Sequence, residues 1–290
     1  MKTLSIDIET YSSIDLKKCG AYKYAESPDF EILLFGYSVD SGDIRVVDFT
    51  TGETLPPEVL SALTDDNVEK WAVNANFERV CLSRYLSDLG ISFDPFADNH
   101  HSADVLGIAR FLNPESWRCS MVWSAYLRLP LSLESVGVVL GLEKQKFAEG
   151  KRLIRKFCTP PKPNQLSLGE DSDWTRFKEY NRRDAEVEMA VQTKLTNYPV
   201  PNFIWPQYAQ DQEINDKGIL LDMTLVKNAI ATDERARSEL LQKVQQLTAL
   251  DNPNSVAQMT GAYFIFGLMK LAAFSVLKGL FIGSILKTVP

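Results

Sequence analysis

Residues 3–10, T-L-S-I-D-I-E-T, decide the fold. Leu4, Ile6 and Ile8 are apolar and alternate with Ser5, Asp7 and Glu9. Successive side chains of a strand point to opposite faces, so this period of two predicts a β-strand carrying two carboxylates on one face. Working outward, residues 31–39 (E-I-L-L-F-G-Y-S-V) and 44–49 (I-R-V-V-D-F) predict the next two strands, with Ser-Gly-Asp at 41–43 as the hairpin turn. Pro56 and Pro57 open a short helix through about Leu63. Residues 68–73 (V-E-K-W-A-V) predict a fourth strand, and a helix follows from Phe77 to Leu89, stopped by Gly90. Strands first, then strand and helix in alternation, indicate an α/β class.

Further along, 94–118 is rich in Pro, Asn and His, and reads as loop with a short helix near 103–112. Met121–Leu127 and Ser132–Leu140 read as helices separated by Pro130. The stretch 159–173 is loop by composition, and Asp173 is placed to cap a long helix from Trp174 to Thr196. Three prolines in 199–206 suggest a linker, followed by a helix, a turn at Gly218 and a charged helix over 223–248. This divides the chain into 1–198, 199–256 and an apolar tail, 257–290.

The bulk composition, 45% hydrophobic and 24% charged, is that of a globular protein with a substantial core. Cys19, Cys81, Cys119 and Cys158 are far apart and form no C-x-x-C pair. That argues against a zinc site or a disulfide framework and leads us to expect a cytoplasmic protein. The net charge is −7. The tail holds three lysines and no acid, so the rest carries −7 − 3 = −10. An acidic body disfavours grip on nucleic acid by bulk charge, and suits either a cation-collecting site or a solvated surface.

Three local groups carry chemistry. Asp7 and Glu9 lie two apart on one strand, where two carboxylates repel unless a cation sits between them. Hard oxygen donors suit Mg²⁺ or Mn²⁺. Tyr180 and Asp184 are four apart in a helical window and share a face. N-A-N-F-E at 74–78 marks a strand giving way to a helix. There Asn74 can cap the helix or touch a ligand, Phe77 packs inward and Glu78 occupies the first turn. Each group alone has a plainer reading: exposed strand acids, a packed aromatic beside a solvated Asp, and an ordinary helix start.

Their order is the stronger signal. D-I-E-T on the first strand, N-x-x-F-E opening a helix after the fourth, and Y-x-x-x-D on a late helix resemble the three exonuclease motifs of the DEDD superfamily, in its tyrosine variant. The histidine variant has His five residues before the last Asp, where this chain has Glu179. His100 and His101 fall in the loop-like insertion and read as surface residues. Glu78 stands where Asp is usual in the superfamily and reaches one methylene further. The longer stretch from Asp7 to Tyr37, with W-R-C-S-M-V-W-S-A-Y at 117–126, L-P-L-S-L-E-S-V at 129–136 and E-G-K-R-L-I-R-K-F-C at 149–158, resembles phage and prophage family A DNA polymerases.

That resemblance covers about residues 1–256. It implies a ribonuclease H-like fold, a mixed sheet flanked by helices and followed here by a helical C-terminal segment. It also implies a proofreading 3′→5′ exonuclease that releases nucleoside 5′-monophosphates from single-stranded DNA 3′ ends, alongside a replication polymerase. Two Mg²⁺ or Mn²⁺ ions would be held, one by Asp7, Glu9 and Asp184, the other by Asp7 with Glu78. Tyr180 would orient the attacking water, and Thr10, Asn74 and Phe77 would contact the substrate. Lys144, Lys146, Lys151, Arg152, Arg155 and Lys156 form a candidate phosphate-facing patch or a solvated helix face.

Residues 199–256 resemble the opening of a polymerase domain, so polymerase activity is not expected of this chain. The tail reads as out-of-frame coding in a truncated prophage gene product. Alternatively, Ala262–Leu286 is an interfacial helix, since Lys270 and Lys278 interrupt any span. Two further functions stay open: a catalytically weak nucleic-acid-binding remnant, and an RNA-trimming enzyme on the same fold.

Overall fold

The computed structural model describes residues 1–91, 111–144, 147, 149–160 and 171–262. His100, His101, all but the last two residues of the expected helix near 103–112, Lys146 and most of the apolar tail lie outside the described residues. The chain divides into two compact units, Met1–Gly218 and Ile219–Pro290.

The first unit is built on a five-stranded mixed sheet of order β3-β2-β1-β4-β5. Its strands are β1 (Thr3–Tyr11), β2 (Glu31–Val39), β3 (Arg45–Asp48), β4 (Glu69–Ala72) and β5 (Trp117–Cys119). β1 pairs antiparallel with β2, and β2 with β3; β1 pairs parallel with β4, and β4 with β5. Three antiparallel strands continued by two parallel ones, with helices on both faces, make the α/β ribonuclease H-like arrangement expected above. β1 is the central strand. That changes the reading of its polar face: Ser5 and Glu9 are buried, because a helix covers them.

One face of the sheet packs Leu4, Ile6 and Ile8 against α2 (Pro57–Thr64) and α3 (Asn76–Asp88). The other face is crossed by α7 (Asp171–Leu195). Asn181 reaches Asp7 from α7, and Gln192 reaches Ser5. α4 (Ser120–Tyr126), α5 (Leu133–Val139) and α6 (Gly150–Phe157) complete that side. Trp123, Val187 and Val191 form one cluster there, and Leu34, Leu153, Phe177 and Tyr180 another.

Four sequence expectations are corrected. α1 (Leu16–Ala25) was not expected. Asp15 caps it, but Gly20 at φ 76° kinks it, and it presents no apolar stripe. β5 falls in a stretch read as loop, because three residues are too few to display a period. Asp173 does not cap α7, which begins at Asp171; it is ion-paired with Arg152 and Lys156. The stretch 199–206 is not linker throughout, since α8 (Ile204–Lys217) starts inside it. Pro206 is tolerated there because N–H groups of a first turn have no intrahelical acceptor. Trp205 then packs edge-on against Trp71, with ring centroids 5.7 Å apart.

The second unit contains α9 (Met223–Thr248), whose first turn is capped by the Asp222 carboxylate accepting from the Thr224 and Leu225 N–H groups. No helix among the described residues is long and apolar enough to cross a membrane.

Candidate metal centre

β1 and α7 bring three carboxylates together. Oxygens of Asp7, Glu9 and Asp184 all lie within 4.8 Å of one another. Glu9 and Asp184 are buried and Asp7 is half-buried. β1 supplies two of the three because residues two apart share a face. The pairing with β2 shifts between Glu9 and Thr10, an irregularity beside the site of the kind that re-aims a side chain.

Glu78 lies outside this group of three. It sits in the first turn of α3, 5% exposed, and its Oε2 has no hydrogen-bond partner among the described residues. Burial, and then the charge of Asp7, hold its carboxyl well above the usual carboxylate range; Glu188 and Glu9 push the same way.

Tyr180 is 2% exposed, and its ring stacks on Phe177 at 6.1 Å. Its hydroxyl is hydrogen-bonded to Asp184. Burial, then the charges of Glu9 and Asp184, raise its pKa far above the ordinary tyrosine value, so the hydroxyl remains a neutral donor. Asn74 does not cap α3: Ala75 occupies the cap position, and Asn74 is exposed in a left-handed turn at φ 59°. Asparagine is among the few residues that adopt this conformation readily.

Thr10 and Phe77 both reach Tyr24. The Thr10 hydroxyl is 3.0 Å from the Tyr24 hydroxyl, and the Phe77 and Tyr24 rings are 5.9 Å apart. With Ile14, Leu16 and Ile154 they line an open cleft of about 600 Å³ that reaches Glu9. The cationic stretch is partly neutralised: Lys144 pairs with Glu186, while Arg152 and Lys156 pair with Asp173.

Several neighbours of the site were not singled out from sequence. The Cys158 thiol, at the end of α6, donates to Glu9 Oε2 at 3.8 Å, and all four cysteines are free. Burial and Glu9 push that thiol up, so it stays protonated. Asn181 Nδ2 donates to Asp7 Oδ2 at 2.7 Å. Glu188, one turn beyond Asp184, is buried beside Gln192. The visible signals were glycines: Gly36 inside a strand and Gly150 at a helix start each mark a close approach.

A DNA polymerase of Bacillus phage SP02 is 42% identical over 267 residues, a match that takes in 89% of this chain. The chain is related to a phage DNA polymerase. It spans 38% of that relative's length. No protein-family model matches. Among solved structures, one described as the apo form of the nuclease aligns over 74% of this chain and 81% of its own, at 14% identity and a TM-score of 0.43. Brucella melitensis NrnC with bound Mg²⁺ aligns over 74% and 85%, at 11% identity and a TM-score of 0.40.

Proposed function

We propose that this chain is a 3′→5′ exonuclease that removes nucleoside 5′-monophosphates from DNA 3′ ends with two divalent cations. The observation that carries this reading is the cluster of Asp7, Glu9 and Asp184, three carboxylates within 4.8 Å of one another at the sheet's central strand. Such a cluster is electrostatically unfavourable without a cation, and its all-oxygen donors fit Mg²⁺ or Mn²⁺. The Oε2 of buried Glu78, which has no hydrogen-bond partner among the described residues, is a further donor. Asp7, Glu9 and Asp184 would hold one ion, and Asp7 with Glu78 the second. The ions would supply an activated water and offset charge on the attacking and leaving oxygens.

The chain's own groups do the rest. Tyr180, a fixed neutral donor hydrogen-bonded to Asp184, orients the attacking water. The cleft walled by Thr10, Tyr24 and Phe77 seats the terminal nucleotide, its aromatic groups stacking on an unpaired base. The relationship to a phage polymerase favours DNA over RNA and a proofreading role beside a replication polymerase.

A time course on 5′-labelled single-stranded DNA with Mg²⁺ or Mn²⁺ tests this. A ladder shortening from the 3′ end, reduced at least about 10²-fold in Asp7→Ala and Asp184→Ala, is the expected result. A well-folded wild type that degrades nothing in either metal overturns it, and the chain is then a binding remnant. Trimming of RNA in preference to DNA would reassign the substrate.

A further inference from the structure

Asp7 is the carboxylate that both proposed ions would share, and its setting on β1 is specific. Asp7 pairs across the sheet with Gly36 of β2. Asn181, the residue after Tyr180 on α7, is fully buried over that pair. Its Nδ2 donates to the Asp7 backbone carbonyl at 3.0 Å and to Asp7 Oδ2 at 2.7 Å. One amide nitrogen thus grips the main chain and the side chain of the same residue, which fixes the carboxylate's rotamer as well as its position. The reverse amide orientation would set an oxygen against a carboxylate, so the hydrogen bonds assign this one.

The room for this grip comes from Gly36. A β-carbon there would stand 2.5 Å from Asn181 Oδ1 and 3.1 Å from Asn181 Cγ. No side chain fits between β2 and the amide without moving it. A glycine inside a strand weakens the strand, and here it admits the side chain that orients Asp7.

We infer that Asn181, seated on Gly36, is the positioning residue for Asp7: it sets the plane in which that carboxylate meets a divalent cation. The inference rests on the metal-dependent reading above. Partners of a ligand that fix its orientation commonly change metal affinity by about 10–100-fold when removed.

The test is Mn²⁺ binding to the full chain, followed as free-ion signal by electron paramagnetic resonance, beside kcat and KM on single-stranded DNA. Asn181→Leu keeps the bulk and cannot donate. It should weaken Mn²⁺ binding about 10–100-fold, with KM for DNA little changed and kcat partly restored at high Mn²⁺. Gly36→Ala keeps the amide but crowds it, and should shift the isotherm in the same direction by less. Folding is checked by circular dichroism. Either folded variant with a wild-type isotherm overturns the inference, because a residue that merely packs would leave binding unchanged. If Asn181→Leu does not fold, Gly36→Ala decides alone. A wild type that binds no Mn²⁺ instead overturns the metal reading itself, a distinguishable result.

Discussion

Gly150 and Tyr180 touch so closely that a β-carbon at position 150 would overlap the Tyr180 ring. Gly150 is the first residue of α6, and its missing side chain lets that helix lie against the tyrosine proposed to aim the attacking water. Gly150→Ala must therefore displace either the ring or the helix. Overpacking of this kind destabilises by about 1–3 kcal/mol. A misplaced orienting group can reduce turnover by about 10²-fold. Thermal melting and kcat on single-stranded DNA check both. Tyr180→Phe is the companion variant: it should lose turnover while keeping the melting temperature near wild type.

If Glu78 holds the second ion as proposed, metal binding should depend on pH. Burial and the charge of Asp7 raise its pKa, so in the metal-free protein it keeps a proton that an ordinary carboxyl has shed. A divalent cation binds the ionised form and expels that proton. Affinity for Mn²⁺ should rise with pH as long as Glu78 is protonated in the free protein. Calorimetric heats of binding should differ between buffers of different ionisation enthalpy. In Glu78→Gln the buffer dependence due to this proton disappears and binding weakens.

How much of this was readable in the residues follows from the range of each interaction. D-I-E-T showed its strand and shared face because a period of two is a local property. The shared face of Tyr180 and Asp184 was readable because Y-x-x-x-D is one turn of one helix. The meeting of Asp184 with Asp7 and Glu9 was implied only by the resemblance of the motifs. The burial of Glu9 was not readable, since it requires α7 to fold back over β1 from 175 residues away. The grip of Asn181 on Asp7 depends on three elements meeting, and only the glycine in E-I-L-L-F-G-Y hinted at it. Asp173 misled because a carboxylate at a helix start looks like a cap, whereas its partners Arg152 and Lys156 lie on another helix.

Arg79, next to Glu78, is an anchor of a different kind. Its side chain is 1% exposed, and it grips both carboxylate oxygens of Asp216 on α8, at 2.6 and 2.9 Å. The Tyr22 hydroxyl donates to the same carboxylate at 2.8 Å. Asp216→Ala leaves a buried guanidinium without its counter-charge, which typically destabilises by about 3–5 kcal/mol. For a unit of this size the melting temperature should fall by on the order of 10 °C. Asp216→Asn, which keeps one acceptor for Arg79, should lose less. A melt of Asp216→Ala within a degree or two of wild type would show that the pair holds nothing together.

Glu188 should leave a signature in stability against pH. It is buried on α7 and accepts from Gln192 Nε2 at 2.6 Å. Burial raises its pKa to about 7, against the opposing effect of hydrogen bonds from Gln192 and Ser120. An unfolded carboxyl titrates near 4.5. Between these values the folded protein keeps a proton that the unfolded chain has lost, so stability falls as pH rises. The contribution is fully present below pH 4.5 and gone above about 7. A shift of this size amounts to about 3 kcal/mol. Glu188→Gln cannot ionise and lacks that loss. In chelator, denaturant unfolding of the two proteins at pH 5 and pH 8 isolates most of the effect: relative to wild type, the variant should gain roughly 2–3 kcal/mol on going to the higher pH. Parallel stability profiles would mean that Glu188 is ionised in the folded protein at neutral pH, its charge carried by Gln192 and Ser120.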